Sequence, residues 1–256
     1  MKISVIIATY NRPVDLRKTI SSIRKFSDPQ KMFASSMEYE IIVVDDGSTN
    51  EHATLNWAIA REFNCIYTHL GSSRSKYLGP SYSMNKGALL ASGEILVFNG
   101  TEIVHQKNNL EIFSQLTKNT AMFARVINQM ANGKLTDEYT SIRNTRPYFF
   151  LGAVHKSDFE KLKGFDESYY LPGYEDDDLA ARMCQSGMQM TFNDNAIAVH
   201  IDHPRTGDWE GGFRANEQKY LTFVENSGGR CWKLYQPIFK LIDTHGRSST
   251  GTDSSP

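Results

Sequence analysis

The run Ile3-Ser4-Val5-Ile6-Ile7-Ala8, broken at once by Thr9-Tyr10-Asn11-Arg12-Pro13, decides the fold of this chain. A β-branched stretch of this kind, without polar alternation, is the pattern of a strand covered on both faces. After the break, Val14 to Phe26 carries Leu16, Ile20 and Ile23 at helical spacing. Working outward, the alternation repeats. Glu40 to Val44 reads as a second buried strand, closed by Asp45-Asp46-Gly47-Ser48-Thr49. Leu55 to Phe63 reads as a helix and Cys65 to Thr68 as a short third strand. Tyr82 to Ala91 reads as a helix with a glycine-type stop at Ser92-Gly93, and Glu94 to Phe98 as a fourth strand. Strands alternating with helices imply an α/β fold with a mostly parallel sheet and right-handed crossovers. Ligands of such sheets bind at the carboxyl ends of the strands. Thr9, Asp45, Asp46 and the turn Asn99-Gly100-Thr101-Glu102 all fall there.

The second half is less regular. Phe149 to His155 and Ala196 to Ile201 read as strands, Glu175 to Gln185 as a helix with Gly187 just beyond, and Asn216 to Val224 as a further helix. The expected organisation is a nucleotide-binding half over 1–103, an acceptor-side mixed half over 104–244 and a flexible Ser/Thr/Gly-rich tail over 245–256. No internal repeat is visible.

With 256 residues, 40% of them hydrophobic and 22% charged, the composition is that of an ordinary globular protein. A net charge of −1 without a long basic run argues against a binder of nucleic-acid backbone. Cys65, Cys184 and Cys231 are scattered and odd in number, which suits a reducing compartment better than a disulfide framework or a zinc site. The first apolar stretch ends at Ala8, too short for a signal peptide or a span, and no other stretch reaches membrane length. A cytoplasmic protein with no integral membrane segment is expected.

Asp45-Asp46 before Gly-Ser is by itself an ordinary turn, since Asp and Gly are common turn formers. At a strand end, a carboxylate there can also accept hydrogen bonds from a nucleobase N–H or a ribose hydroxyl, with Thr9 and Tyr10 completing the pocket. The run Glu175-Asp176-Asp177-Asp178 would be a solvated patch in most proteins. Here it opens a helix whose Leu179 and Met183 recur at four-residue spacing. The helix dipole favours ionised acids in a first turn, while crowding raises some of their pKa values. A positioned, ionised carboxylate can act as general base towards a hydroxyl.

The segments Val5-Ile6-Ile7-Ala8-Thr9-Tyr10-Asn11-Arg12, Val43-Val44-Asp45-Asp46-Gly47-Ser48 and Asn85-Lys86-Gly87…Ala91-Ser92-Gly93-Glu94-Ile95 resemble the N-terminal half of family-2 glycosyltransferases of the GT-A fold. Gly164-Phe165-Asp166-Glu167…Gly173-Tyr174-Glu175-Asp176-Asp177-Asp178-Leu179 resembles their acceptor-side half and that of the β-1,4-galactosyltransferases. The resemblance runs from Met1 to His203. It implies that Thr9 and Asp46, with Asp45 and Tyr10 beside them, hold the uracil nucleotide of a UDP-sugar. It implies that Asp176 is the base that deprotonates the acceptor and that Asp178 fixes the local backbone. Glu175 and Asp177, with Gly152 and Trp209, are assigned to the donor and acceptor sugars. The family's usual Asp-x-Asp is replaced by Gly100-Thr101-Glu102. Glu102 keeps one oxygen ligand for Mn²⁺ or Mg²⁺. A histidine after the strand Ala196 to Val199 supplies a further ligand in the resembling families, which makes His200 the preferred residue and His203 the reserve.

Three smaller features belong to the same expectation. Pro204 to Phe213, with Trp209 and Gly211-Gly212, suits a glycine-hinged loop closing over the donor. Arg74, Lys76 and Lys86 are candidates for phosphate contacts. The implied reaction is a single in-line transfer with inversion onto an acceptor hydroxyl, of a glycan or a modified nucleic-acid base. The competing readings are a catalytically weakened nucleotide-sugar-binding protein of the same fold, a nucleotidyltransferase and a purely structural domain. The second would want a glycine-rich loop after the first strand, and Ala8 to Arg12 contains no glycine.

Overall fold

The computed structural model describes residues 1–27, 37–71, 79–169, 173–203, 209–227 and 240–241. The predicted alternation is present with small changes of boundary. β1 (Lys2–Thr9), α1 (Pro13–Phe26), β2 (Glu38–Asp45), α2 (Asn50–Glu62), β3 (Ile66–His69), α3 (Pro80–Leu90) and β4 (Ile95–Gly100) follow in order. Then come β5 (Ile103–His105), α4 (Asn109–Phe113), β6 (Thr120–Gln129), β7 (Leu135–Thr140) and β8 (Leu151–His155). α5 (Lys156–Lys161), α6 (Glu175–Gln185), β9 (Gln189–Ile201), α7 (Trp209–Asn226) and β10 (Lys240–Leu241) are the remaining elements among the described residues.

The strands form one mixed sheet in the order β10-β9-β6-β8-β4-β1-β2-β3, with β5 on β9 and β7 on β6. β3, β2, β1 and β4 are parallel, while β8 runs antiparallel to both β4 and β6. Two apolar layers cover the sheet, and β1 shows how they are divided. Ile6 packs with Ile42, Phe98, Phe123 and Leu179 on one side, whereas Ile3, Val5 and Ile7 pack with Leu16, Ile20 and Ile23 on the other. Side chains alternate along a strand, so a fully apolar run feeds both layers at once. Among the described residues, no helix is long and apolar enough to cross a membrane.

Two elements of the sequence pattern lock together here. Asn85 on α3 donates to the Phe165 carbonyl at 2.9 Å and accepts from the Phe165 N–H at 2.9 Å. This reciprocal pair joins the Asn-Lys-Gly element to the Gly-Phe lead-in of α6. Gly93 is not the left-handed helix stop expected of it. It is needed because a Cβ there would meet the Ser4 backbone N at 2.7 Å. The predicted tail, 245–256, lies outside the described residues.

Candidate active site

The strand ends converge as the pattern requires. Thr9 and Asp45 are register partners at the ends of β1 and β2, and the Asp46 N–H donates to the Thr9 carbonyl at 2.8 Å. Gly100 at the end of β4 is opposite Ala8, and the Thr101 hydroxyl donates to the Ala8 carbonyl. Thr9, Asp46 and Glu102 are thus carried by three adjacent strands. Thr9 is 3% exposed, and its Oγ1 has no hydrogen-bond partner among the described residues. Tyr10 follows β1, partly exposed.

Asp45 takes a different part from the one expected. Its carboxylate is fully buried and accepts from the Ser48 N–H (2.8 Å), Asn56 Nδ2 (2.8 Å) and the Tyr67 hydroxyl (2.9 Å). Those bonds shape the turn that presents Asp46 and leave Asp45 with no face towards a ligand.

Glu102, His200 and His203 each offer a ligand atom, all within 4.8 Å of one another. The grouping follows from the ladder, since β5 pairs with β9 with Ile103 opposite His200, and Ile201 donates to the Glu102 carbonyl at 2.9 Å. Glu102 Oε1 lies 3.8 Å from His200 Nε2, while its other oxygen accepts from Arg12 at 2.8 Å. Burial lowers the His200 pKa against the opposing pull of Glu102, which favours the neutral imidazole whose lone pair can bind a cation. Both histidines belong to the group, not one with the other in reserve. Sequence reasoning passed over Arg12 as the partner of Glu102, although it stood in the quoted motif.

The acids of α6 separate into distinct environments. Asp178 is bound to Arg182 at 2.7 Å and serves the local structure. Asp177, 2% exposed, is paired with Arg146 at 2.9 Å. Glu175, 7% exposed, accepts from the Gly173 N–H, and burial pushes its pKa up to about 7. Asp176 is the member of the run that is not fully buried. Burial, then Glu175 and Asp177, raise its pKa well above the usual carboxylate range, while the Phe149 backbone N–H holds it back.

The segment between β7 and β8 joins this acid turn to the Glu102–His200–His203 group. Phe149 reaches Asp176, and the Phe150 carbonyl accepts from the Gly100 N–H at 2.7 Å. The Phe150 and Tyr139 rings lie 5.9 and 4.9 Å from the His200 ring. The two chemical groups therefore border one region at the carboxyl end of the sheet.

Two expectations are corrected. Gly152 is buried in β8, where a Cβ would stand 2.9 Å from the Phe123 ring, so packing against Phe123 accounts for the glycine in place of the expected sugar contact. Gly211, Gly212 and Phe213 belong to α7, not to a hinged loop. α7 braces the acid turn: Asn216 donates to the Gly173 carbonyl at 2.9 Å and Tyr174 to Glu217 at 2.7 Å. Lys86 lies over the Tyr82 ring at 5.4 Å on α3. The 204–208 stretch, the Trp209 side chain, Arg74 and Lys76 lie outside the described residues.

A mixed sheet with these groups at its carboxyl edge is the architecture of a GT-A-type glycosyltransferase. Residues 4–165 match the glycosyl transferase family 2 profile, and residues 138–204 match that of the N-terminal domain of galactosyltransferase. The chain belongs to glycosyltransferase family 2. It is similar to the uncharacterized glycosyltransferase YfnE of Bacillus subtilis, at 24% identity over 84% of this chain and 69% of that protein. Among solved structures, GalNAc-T7 with UDP, GalNAc and Mn²⁺ superposes at a TM-score of 0.61 and 20% identity, covering 88% of this chain. The mannosyltransferase PcManGT of Pyrobaculum calidifontis, with GDP-Man and Mn²⁺, superposes at 0.63 and 16% identity, covering 92% of this chain. This chain spans 48% and 67% of those two structures' lengths.

Proposed function

We propose that this glycosyltransferase is inverting and metal-dependent and takes its sugar from a UDP-sugar. The observation that carries the reading is the link that adjacent Phe149 and Phe150 make between the acid turn bearing Asp176 and the Glu102–His200–His203 group. Two imidazoles and a carboxylate fit Mn²⁺ better than Mg²⁺, which prefers oxygen and water. When bound, the cation supplies charge neutralisation for the leaving diphosphate. Thr9 Oγ1, Tyr10 and Asp46 hold the nucleotide. Glu175 and Asp177, expected to contact the donor and acceptor sugars, are given parts within the turn instead: Glu175 steadies it through Gly173, and Asp177 acts on Asp176 through its charge. Asp176 takes the proton of the attacking hydroxyl, and a raised pKa brings that base nearer the working pH. One displacement of this kind inverts the anomeric centre.

The acceptor is a hydroxyl of a glycan or of a modified nucleic-acid base. The nucleotide bound by PcManGT, GDP-Man, makes guanine the competing base. The test is to incubate the purified chain with UDP-glucose, UDP-galactose, UDP-GlcNAc and GDP-mannose, with and without Mn²⁺, and to measure release of the nucleoside diphosphate. Release from a UDP-sugar that requires Mn²⁺ is expected, with NMR of the product showing the opposite anomer. Equal release with and without Mn²⁺ removes the metal, and a retained anomer removes the single displacement.

A further inference from the structure

Glu175, Asp176 and Asp177 put three consecutive carboxylates at the start of α6, and the cation facing them from the described residues is Arg146. Arg182 faces the fourth acid, Asp178. Arg146 is held from two sides. Its Nη2 donates to Asp177 Oδ2 at 2.9 Å, and its guanidinium lies 4.6 Å from the centre of the Tyr148 ring. Tyr148 in turn stacks on Phe150 at 4.8 Å with planes 16° apart. The Asp177 side chain is 3% exposed and that of Arg146 32%, so this half-buried ion pair is screened less than a surface pair.

We propose that Arg146 is a positioning residue for the base: by neutralising buried Asp177 from a fixed seat on Tyr148, it lets Asp176 carry its own negative charge. The proposal rests on the assignment of Asp176 as base. Like charges at such spacing cannot all ionise without a counter-charge. Among the described residues, the titratable and charged groups that face Asp176 are Glu175 and Asp177 from α6, and Arg146 and Tyr148 from the segment before β8. The Tyr148 hydroxyl stays neutral because burial raises its pKa. On α7, Lys219 is engaged by Asp166 and so does not supply the charge in place of Arg146, and Glu217, itself an acid, accepts from the Tyr174 hydroxyl.

The experiment is a pH titration of the chain carrying ¹³C-labelled aspartate, with the Asp176 carboxyl signal identified by its loss in Asp176→Asn. Arg146→Met, which keeps the stem on Tyr148 but removes the charge, should raise the Asp176 midpoint by about one to two pH units. Arg146→Lys should raise it less. Asp177→Asn alone should lower it, and Arg146→Met with Asp177→Asn should return it towards the wild-type value, because an anion leaves with the cation. A purely structural role predicts no movement of the midpoint in any of these. An unchanged midpoint in Arg146→Met overturns the proposal; should that variant not fold, an unchanged midpoint in Asp177→Asn does so. The base assignment stands or falls separately, since Asp176→Asn with wild-type turnover removes it and leaves the titrations standing.

Discussion

A Cβ at position 100 would stand 2.7 Å from Glu102 Oε1. Glu102 is one methylene longer than the aspartate usual in the family, and its carboxylate folds back into the space that a side chain at position 100 would fill. The glycine and the glutamate are therefore one arrangement rather than two independent losses from an Asp-x-Asp. Restoring only the first acid should harm the site. We expect Gly100→Asp to displace the Glu102 carboxylate and weaken Mn²⁺ binding by about 10-fold, the scale of losing a supporting group. Gly100→Asp with Glu102→Asp, which shortens the colliding side chain, should recover part of the loss. Mn²⁺ titration followed by electron paramagnetic resonance measures both, and a single variant that binds Mn²⁺ more tightly would refute the linkage. At Asp176, substitution by Asn keeps the shape and removes the base. We expect kcat to fall by about 10²- to 10⁴-fold with the donor Kd nearly unchanged. Wild-type turnover in that variant would end its assignment as base.

At the scale of elements, legibility followed period and length. α6 was readable to the residue because its acids and the Leu179–Met183 pair mark both the start and the buried side. β9 was not, because Asn193-Asp194-Asn195 looks like a turn. The ladder to β6 jumps from Asn193↔Ala124 to Ile197↔Arg125, so the intervening residues bulge out of one continuous strand. β7 is short and polar and carries no apolar alternation to find. The helical state of Gly211-Gly212 was hidden because glycine is a poor helix former, while the next residue, Phe213, packs against Gly173. β5 has only three residues, too few for any period. Yet it carries His105, 1% exposed, with Nε2 2.7 Å from Asn99 Oδ1. Asn99 in turn donates to the Gly100 carbonyl at 2.8 Å, beneath the turn that presents Glu102. Burial pushes the His105 pKa down to about 3. Between that value and its unfolded value near 6.5, the unfolded chain binds the extra proton, so folding loses stability as pH falls. Glu175 and Asp176 act with the opposite sign, because their folded pKa values are raised and the native state gains as they protonate. A comparison with His105→Gln isolates the histidine. The stability gap between wild type and variant should narrow by about 1.4 kcal/mol for each pH unit from 6.5 to 4.5. Urea unfolding across that range reads it, and a gap independent of pH would show that His105 is not the group responsible.

At the scale of the molecule, the sheet gathers residues from positions 9 to 203 to its carboxyl edge. The convergence of Thr9, Asp46 and Glu102 could be read from strand ends alone. The approach of α6 could not, because it depends on the Asn85–Phe165 bonds and on the segment before β8. Ligands that bridge these parts should bind the native chain together and not separately. If UDP spans the Thr9–Asp46 side and the Glu102–His200–His203 side, UDP and Mn²⁺ should raise the melting temperature by more than the sum of their separate shifts. A ligand at 100 times its Kd stabilises the native state by about 2.7 kcal/mol, which for a chain of this size is a shift of roughly 5–10 °C. Mn²⁺ should support the joint shift better than Mg²⁺, since two of the three ligands are imidazoles. Glu102→Ala should abolish the excess while leaving any shift from UDP alone in place. GDP producing the larger joint shift would replace uracil by guanine without disturbing the metal assignment. Additive shifts for every nucleotide would mean that the two sides do not hold one diphosphate.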